Sequence, residues 1–105
     1  MGQNFFKIKL TYTKGEDVKF LSHLDHIRAL ERALRRSDLA MAYSEGFNPR
    51  LKMSFLTRAL KVGETSDSCE VVLTFIRQTR PEEVKTALNS TLPAGFKVLD
   101  ASLYL

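Results

Sequence analysis

The stretch SHLDHIRALERALRR, residues 22–36, predicts the helix on which the rest of the fold depends. It opens as a capping box, in which the Ser22 hydroxyl accepts a hydrogen bond from the Asp25 amide and the Asp25 carboxylate reaches back. Apolar side chains then recur every three or four residues, which is the spacing of a helix with one buried face. That face is predicted to consist of Ile27, Leu30 and Leu34, with Leu24 and Ala33 at its edges.

Strand patterns lie on both sides of this helix. Some segments alternate apolar and polar residues, as a half-buried strand does, and one segment is largely apolar on both faces. The predicted strands are residues 6–13, 51–56, 69–76 and 96–103. A second helix is predicted to start at residues 79–82, where Pro81 suits the first turn, and to point Val84 and Leu88 inward.

The order strand–helix–strand–strand–helix–strand predicts an α+β fold of the ferredoxin-like βαββαβ type. In that arrangement the four strands form one antiparallel sheet, and both helices cover the same face of it. The 105 residues, 44% of them hydrophobic, are expected to form a single domain over residues 1–105. Its predicted core includes Ile27, Leu30, Leu34, Val84 and Leu88.

Composition argues against several classes of protein. No apolar run approaches the roughly 20 residues that cross a bilayer, and the first residues lack the pattern of a secretion signal, so we expect a cytoplasmic protein and no membrane. Cys69 is the only cysteine, so no disulfide forms within the chain. Iron–sulfur clusters need about three or four thiolates. We therefore expect neither a metal nor another cofactor.

Positive charge is concentrated in the middle of the chain. The formal net charge is +4, and residues 19–61 contain nine basic and four acidic side chains. The predicted helix gathers four arginines on one face, namely Arg28, Arg32, Arg35 and Arg36. Guanidinium groups in such an array favour phosphates. The alternative is local ion pairing, since Asp25–Arg28, Arg28–Glu31 and Glu31–Arg35 all have helical pair spacings.

The segment that follows the helix adds further candidate nucleic-acid contacts. Tyr43 and Phe47 are suited to stacking on unpaired bases, while Arg50 and Lys52 are suited to holding phosphates. The alternative is that both aromatic side chains fill the core beneath a long connection. In the first strand, Lys7 and Lys9 are predicted to lie on the open face of the sheet and to bind phosphates as well.

Two histidines at the start of the helix are weaker candidates. His23 and His26 lie three residues apart with no further ligand in the neighbouring sequence, so a metal site there is disfavoured. Either one is a candidate general base of a metal-independent ribonuclease, with Tyr43 or Ser44 nearby and arginines on the phosphate. The alternative is a structural histidine that packs on the apolar face.

The motifs FLSHLD (residues 20–25), RALRR (32–36) and AYSEGFNP (42–49), with Ser54 and Phe55, resemble the radical-SAM-linked protein family. This is a bacterial domain of unknown function found beside, or fused to, radical SAM proteins. The resemblance implies an accessory domain with a radical SAM partner, and it implies that the chain is the N-terminal portion of a longer protein. The sequence departs from the family pattern at Arg50-Leu51, where the family often has His-Pro, and at residues 58–62, which lack the usual prolines.

Together these features predict a non-catalytic domain that binds RNA or docks a substrate for a radical SAM partner. Two alternatives stay open. One is a protein–protein interaction module, in which a second domain or a second copy of the chain covers the apolar strand at residues 71–76. The other is the metal-independent ribonuclease.

Overall fold

A computed structural model describes residues 5–105 and contains one sheet of four antiparallel strands. The strands are β1 (Phe6–Lys14), β2 (Met53–Phe55), β3 (Ser66–Phe75) and β4 (Phe96–Leu103), and the helices are α1 (His23–Arg36) and α2 (Pro81–Thr91). The sheet order is β2-β3-β1-β4, and one core cluster joins both helices to the sheet. The predicted α+β class with a ferredoxin-like arrangement is confirmed.

The first strand occupies the middle of the sheet because its alternation leaves one fully apolar face. Ile8, Leu10 and Tyr12 are almost completely buried, and β3 and β4 pair with β1 on its two sides. Leu10 lies opposite Val71 on β3 and Ala101 on β4. The inward side of three adjacent strands is thus apolar, and the helices pack against it.

The start of α1 follows the predicted cap. The Ser22 hydroxyl accepts a hydrogen bond from the Asp25 N–H at 3.2 Å and donates one to the Asp25 carboxylate at 3.1 Å. The Asp25 carboxylate therefore reaches back to the side chain of Ser22 and accepts from its hydroxyl. Asp25 in the first turn and Arg35 and Arg36 in the last turn place charges of the favourable sign at each end of the helix.

The predicted buried face of α1 is confirmed at Leu30, Leu34 and Ala33 and is wrong at Ile27, which is only half-buried and lies outside the core cluster. The inward position is occupied instead by His26, which shares a hydrogen bond with Tyr12, and Ile27 is turned aside from it by about 100°. Leu24 is half-exposed for the same reason, whereas Val84 and Leu88 of α2 are buried as predicted.

The strand β3 starts earlier than predicted, at Ser66, and ends at Phe75, so that Ile76 lies beyond it and is exposed. Its two apolar faces are both buried within the chain. Val72, on the side away from the helices, lies between Lys9 on β1 and Ser54 on β2. The exposed apolar strand that the interaction-module alternative requires is therefore not present at residues 71–75.

Two further boundaries differ from the sequence prediction. The first strand extends one residue beyond the predicted 6–13, because Lys14 is its last residue and is fully buried, with its ammonium donating to the Leu21 carbonyl at 2.9 Å. The second strand is shorter than predicted, and Leu51 instead forms an isolated bridge with Tyr43. Both differences involve contacts between residues that lie apart in the sequence, and a local apolar–polar pattern does not predict such contacts.

Candidate nucleic-acid interface

Four guanidinium groups and one carboxylate line a surface groove of about 350 Å³. Three of the arginines and the carboxylate come from α1, where the i, i+3, i+4 and i+7 spacings place them on one side of the helix. The fourth arginine comes from the connection between α1 and β2. The lining residues are Arg28, Glu31, Arg32, Arg35 and Arg50.

Glu31 is already engaged by one of these arginines. Its carboxylate accepts from Arg50 Nη2 at 2.8 Å and from Arg50 Nε at 3.1 Å, a bidentate pair that raises the pKa of Arg50. The Glu31 side chain itself is buried. The alternative pairing of Glu31 with Arg28 or Arg35 along the helix is therefore wrong.

In the described part of the chain, only one of the arginines of α1 lies near a carboxylate. Asp25 lies 3.7 Å from Arg28, as its spacing predicts. No ion pair within residues 5–105 involves Arg32, Arg35 or Arg36. The groove therefore carries a positive excess that its own carboxylate does not neutralise.

The loop at residues 44–50 is closed at its base and attached to α1. The Ser44 N–H donates to the Arg50 carbonyl at 2.8 Å, and the Arg50 N–H donates to the Ser44 hydroxyl at 3.0 Å. The Arg50 side chain then joins this base to Glu31. Arg50 therefore belongs to both the loop and the groove.

Both aromatic side chains of this segment are displayed to solvent. Tyr43 is 49% exposed and Phe47 is completely exposed. The alternative in which they fill the core is wrong, because Met41, Ala42 and Leu51 are the residues buried there. A fully exposed phenylalanine on a closed loop is available to a ligand without any rearrangement of the core.

The chain matches the bacterial family DUF2344, described as an uncharacterized protein conserved in bacteria, over residues 7–104. This chain belongs to that family. The match includes the groove and the loop, and the description gives neither an activity nor a partner. Comparison with curated proteins and with solved structures gives no match. None of the helices within residues 5–105 has the length and apolar character needed to cross a membrane.

The predicted lysine contacts of this DUF2344 domain do not join the arginine groove. Lys7 and Lys9 lie on the side of β1 opposite the buried Ile8 and Leu10, away from the helices. Lys9 is paired with Glu70 at 3.2 Å, and the Lys52 ammonium lies 4.7 Å from the centroid of the Phe5 ring. The sheet thus separates these lysines from Arg28, Arg32 and Arg35.

Arg36 lies next to the groove and does not line it. It lines a smaller cavity of about 140 Å³ together with Arg32, where α1 meets the end of α2. Three of the four predicted helix arginines therefore share the groove, and the fourth lies on the other side of Arg32.

His26 lies in the core of the DUF2344 domain, and His23 is half-buried beside it. His26 is only 3% exposed and shares a 2.7 Å hydrogen bond through Nε2 with the Tyr12 hydroxyl. Burial, with smaller contributions from His23 and Lys14, lowers the pKa of His26 to about 4. His23 packs edge-on against Phe55. No group of three or more His, Cys, Asp or Glu side chains within residues 5–105 is placed to hold a metal ion.

Sequence reasoning missed two contacts that shape this region. The pairing of Arg50 with Glu31 spans 19 residues, and that of Tyr12 with His26 spans 14. No helical or strand spacing connects either pair. The sequence offered one indication of the Arg50–Glu31 pair, namely the excess of arginines over acids on α1. That excess does not determine which arginine binds Glu31.

Proposed function

We propose that this DUF2344 domain binds single-stranded RNA without cleaving it, holding phosphates in the groove formed by Arg28, Arg32, Arg35 and Arg50. The observation that carries the proposal is the charge of that groove, in which four guanidinium groups face a single carboxylate. This carboxylate is bound by Arg50 and Arg28 lies 3.7 Å from Asp25, whereas Arg32 and Arg35 have no ion-pair partner within residues 5–105.

Phosphate is the anion that best suits this arrangement. A guanidinium group donates two parallel N–H bonds to phosphate oxygens, and several such groups along one helix face favour an extended polyanion. Each phosphate engaged also displaces condensed counterions, which drives binding at low salt.

The exposed aromatic side chains support a single strand rather than a duplex. Unpaired bases stack on aromatic side chains, worth about 1–3 kcal/mol per base, whereas the bases of a duplex are already stacked on each other. Phe47 offers such a surface on the loop whose base is joined to the groove through Arg50. Phosphate contacts and base contacts are therefore both supplied by one region of the molecule.

The resemblance of residues 20–55 to the radical-SAM-linked family extends the proposal to a partner. In this extension the domain presents RNA, or another anionic substrate, to a radical SAM protein in the cytoplasm. Co-purification of the two proteins, and its loss on substitution of the groove arginines in the presence of RNA, would support a docking role.

Neither alternative function gains support from the structure. His26, as a general base, would have to reach a phosphate from the core while hydrogen-bonded to Tyr12. The interaction module would need β3 exposed, and β3 residues 71–75 are buried.

The test is the salt dependence of RNA binding. Fluorescence anisotropy of a labelled short oligouridylate is measured from about 50 mM to about 200 mM KCl, where log affinity should fall by about 0.7 per phosphate for each unit of log salt. The double variant Arg32→Ala/Arg35→Ala should bind more weakly, with a slope flatter by about one to one and a half units.

A matched control removes the same charge from another place. Arg77 and Arg80 are exposed residues between β3 and α2, and the variant Arg77→Ala/Arg80→Ala should keep most of the parental slope. Equal slopes in the parent and the Arg32/Arg35 variant, or an equal loss in both variants, would overturn the proposal. A DNA strand of the same length shows whether the 2′-hydroxyl contributes.

A further inference from the structure

Arg32 lines two cavities, one on each side of its side chain. The first is the groove described above, and the second is the smaller cavity between α1 and the end of α2. The smaller cavity, here named the slot, is lined by Ala29, Arg32, Ala33, Arg36, Thr91 and Pro93. The two cavities therefore share Arg32 as a lining residue.

The lining of the slot differs from that of the groove. Ala29 and Ala33 are one helical turn apart and, with Pro93, supply an apolar surface of small side chains. Arg32 and Arg36 are also one turn apart and carry planar groups that stack on aromatic rings. A flat ring with an apolar face suits this combination.

The slot lies where the two helices end. Ala33 and Arg36 belong to the last turn of α1, and Thr91 is the last residue of α2. The two arginines of the slot suit a phosphate as well as an aromatic ring. The small apolar side chains of Ala29, Ala33 and Pro93 favour the ring, because a phosphate gains nothing from packing against them.

We infer that the slot receives one unpaired base of the RNA strand whose neighbouring phosphate lies in the groove, with Arg32 between the two. This inference rests on the proposed function and deepens it, since it makes the ligand a strand of at least two nucleotides rather than an isolated anion. The base stacks against Arg32 and Arg36, and its edge faces the helix ends.

The inference is tested by filling the slot from each of its two walls. Ala29→Leu on α1 and Thr91→Met on α2 each place extra carbon atoms in the cavity without removing a charge. Thr86→Met is the matched control, because Thr86 is an exposed residue of the same helix outside the slot. Far-ultraviolet circular dichroism and the urea midpoint verify that each variant is folded.

Each filled variant should bind oligouridylate about 5- to 100-fold more weakly than the parent, the range expected from the loss of one stacked base. The slope of log affinity against log salt should stay unchanged, because no phosphate contact is lost. With an abasic sugar-phosphate strand as the probe, the filled variants and the parent should bind equally.

Three results distinguish a failure of this inference from a failure of the proposed RNA binding. Parental affinity for oligouridylate in both folded variants would show that no base enters the slot, while the groove arginines would still account for binding. A flatter salt slope in the filled variants would assign a phosphate to the slot and overturn the inference. Failure of the parent to bind any single strand would overturn the proposed function itself.

Discussion

His26 is a histidine that the core of the fold holds neutral. Its Nε2 shares a hydrogen bond with the Tyr12 hydroxyl, and its ring lies among the aromatic side chains of Phe55 and Phe96. The titratable groups that face it are Tyr12 and Lys14 from β1 and His23 from its own helix. Burial also raises the pKa of Tyr12, so both partners of this bond are neutral at ordinary pH.

This environment predicts a loss of stability in acid. The pKa of His26 is about 4 in the folded chain and 6.5 in its unperturbed state, so between these values the unfolded chain binds a proton that the folded chain does not. The free energy of unfolding should therefore fall as the pH falls from 6.5 to about 4, by roughly 3 kcal/mol. Urea denaturation across this pH range measures the effect.

The variant His26→Gln isolates this contribution, because glutamine offers a polar partner to Tyr12 and does not titrate. The difference in unfolding free energy between parent and variant should shrink as the pH falls. A constant difference between pH 6.5 and pH 4 would show that His26 is not the group responsible.

Phe47 lies outside the core, so its proposed role in RNA binding can be separated from folding. Its ring is completely exposed, so Phe47→Ala should leave the urea midpoint unchanged within error. In the proposed function the same change should weaken oligouridylate binding about 5- to 100-fold, with an unchanged salt slope. Val62→Ala serves as the control, since Val62 is another exposed apolar residue on a different loop. Loss of stability in the Phe47 variant would contradict the exposed position of the ring.

Among the elements, α1 carries both the core face and the groove, so its ends matter to each. Replacing the capping residue in Ser22→Ala leaves the Asp25 N–H without its acceptor and should lower the free energy of unfolding by about 1 kcal/mol. Ser22→Thr keeps a hydroxyl at the cap and should retain most of that stability. Equal urea midpoints for the Ala variant and the parent would show that the cap contributes nothing.

The elements could be predicted to the extent that they depend on local spacing. The alternation of residues 6–13 and the cap at Ser22 gave β1 and the start of α1 directly. Leu30 and Leu34 of α1 are buried as their spacing predicts, whereas the inward position of His26 was not predictable, because its partner Tyr12 lies on another element. The pairing of Glu31 had two candidates along the helix, Arg28 and Arg35, and formed instead with the distant Arg50.

At the scale of the whole molecule, the sheet divides the basic residues into two sets. Three arginines of α1 (Arg28, Arg32 and Arg35) share one groove with Arg50, and Lys7, Lys9 and Lys52 lie on the far side of the sheet. The sequence predicted both sets as phosphate contacts, and its placement of Lys7 and Lys9 on the open face of the sheet is confirmed. The exposure of Phe47 was undetermined, because an aromatic residue in a loop can be buried or displayed.

The central position of β1 has a consequence for the synthesis of this protein on the ribosome. Both sheet partners of β1 are made later than β1 itself, since β3 begins at Ser66 and β4 at Phe96. The apolar side of β1 and the inward face of α1 therefore emerge from the exit tunnel well before the strands that complete their core. A nascent chain that stops before β4 would keep one side of its first strand unpaired, in a state open to aggregation.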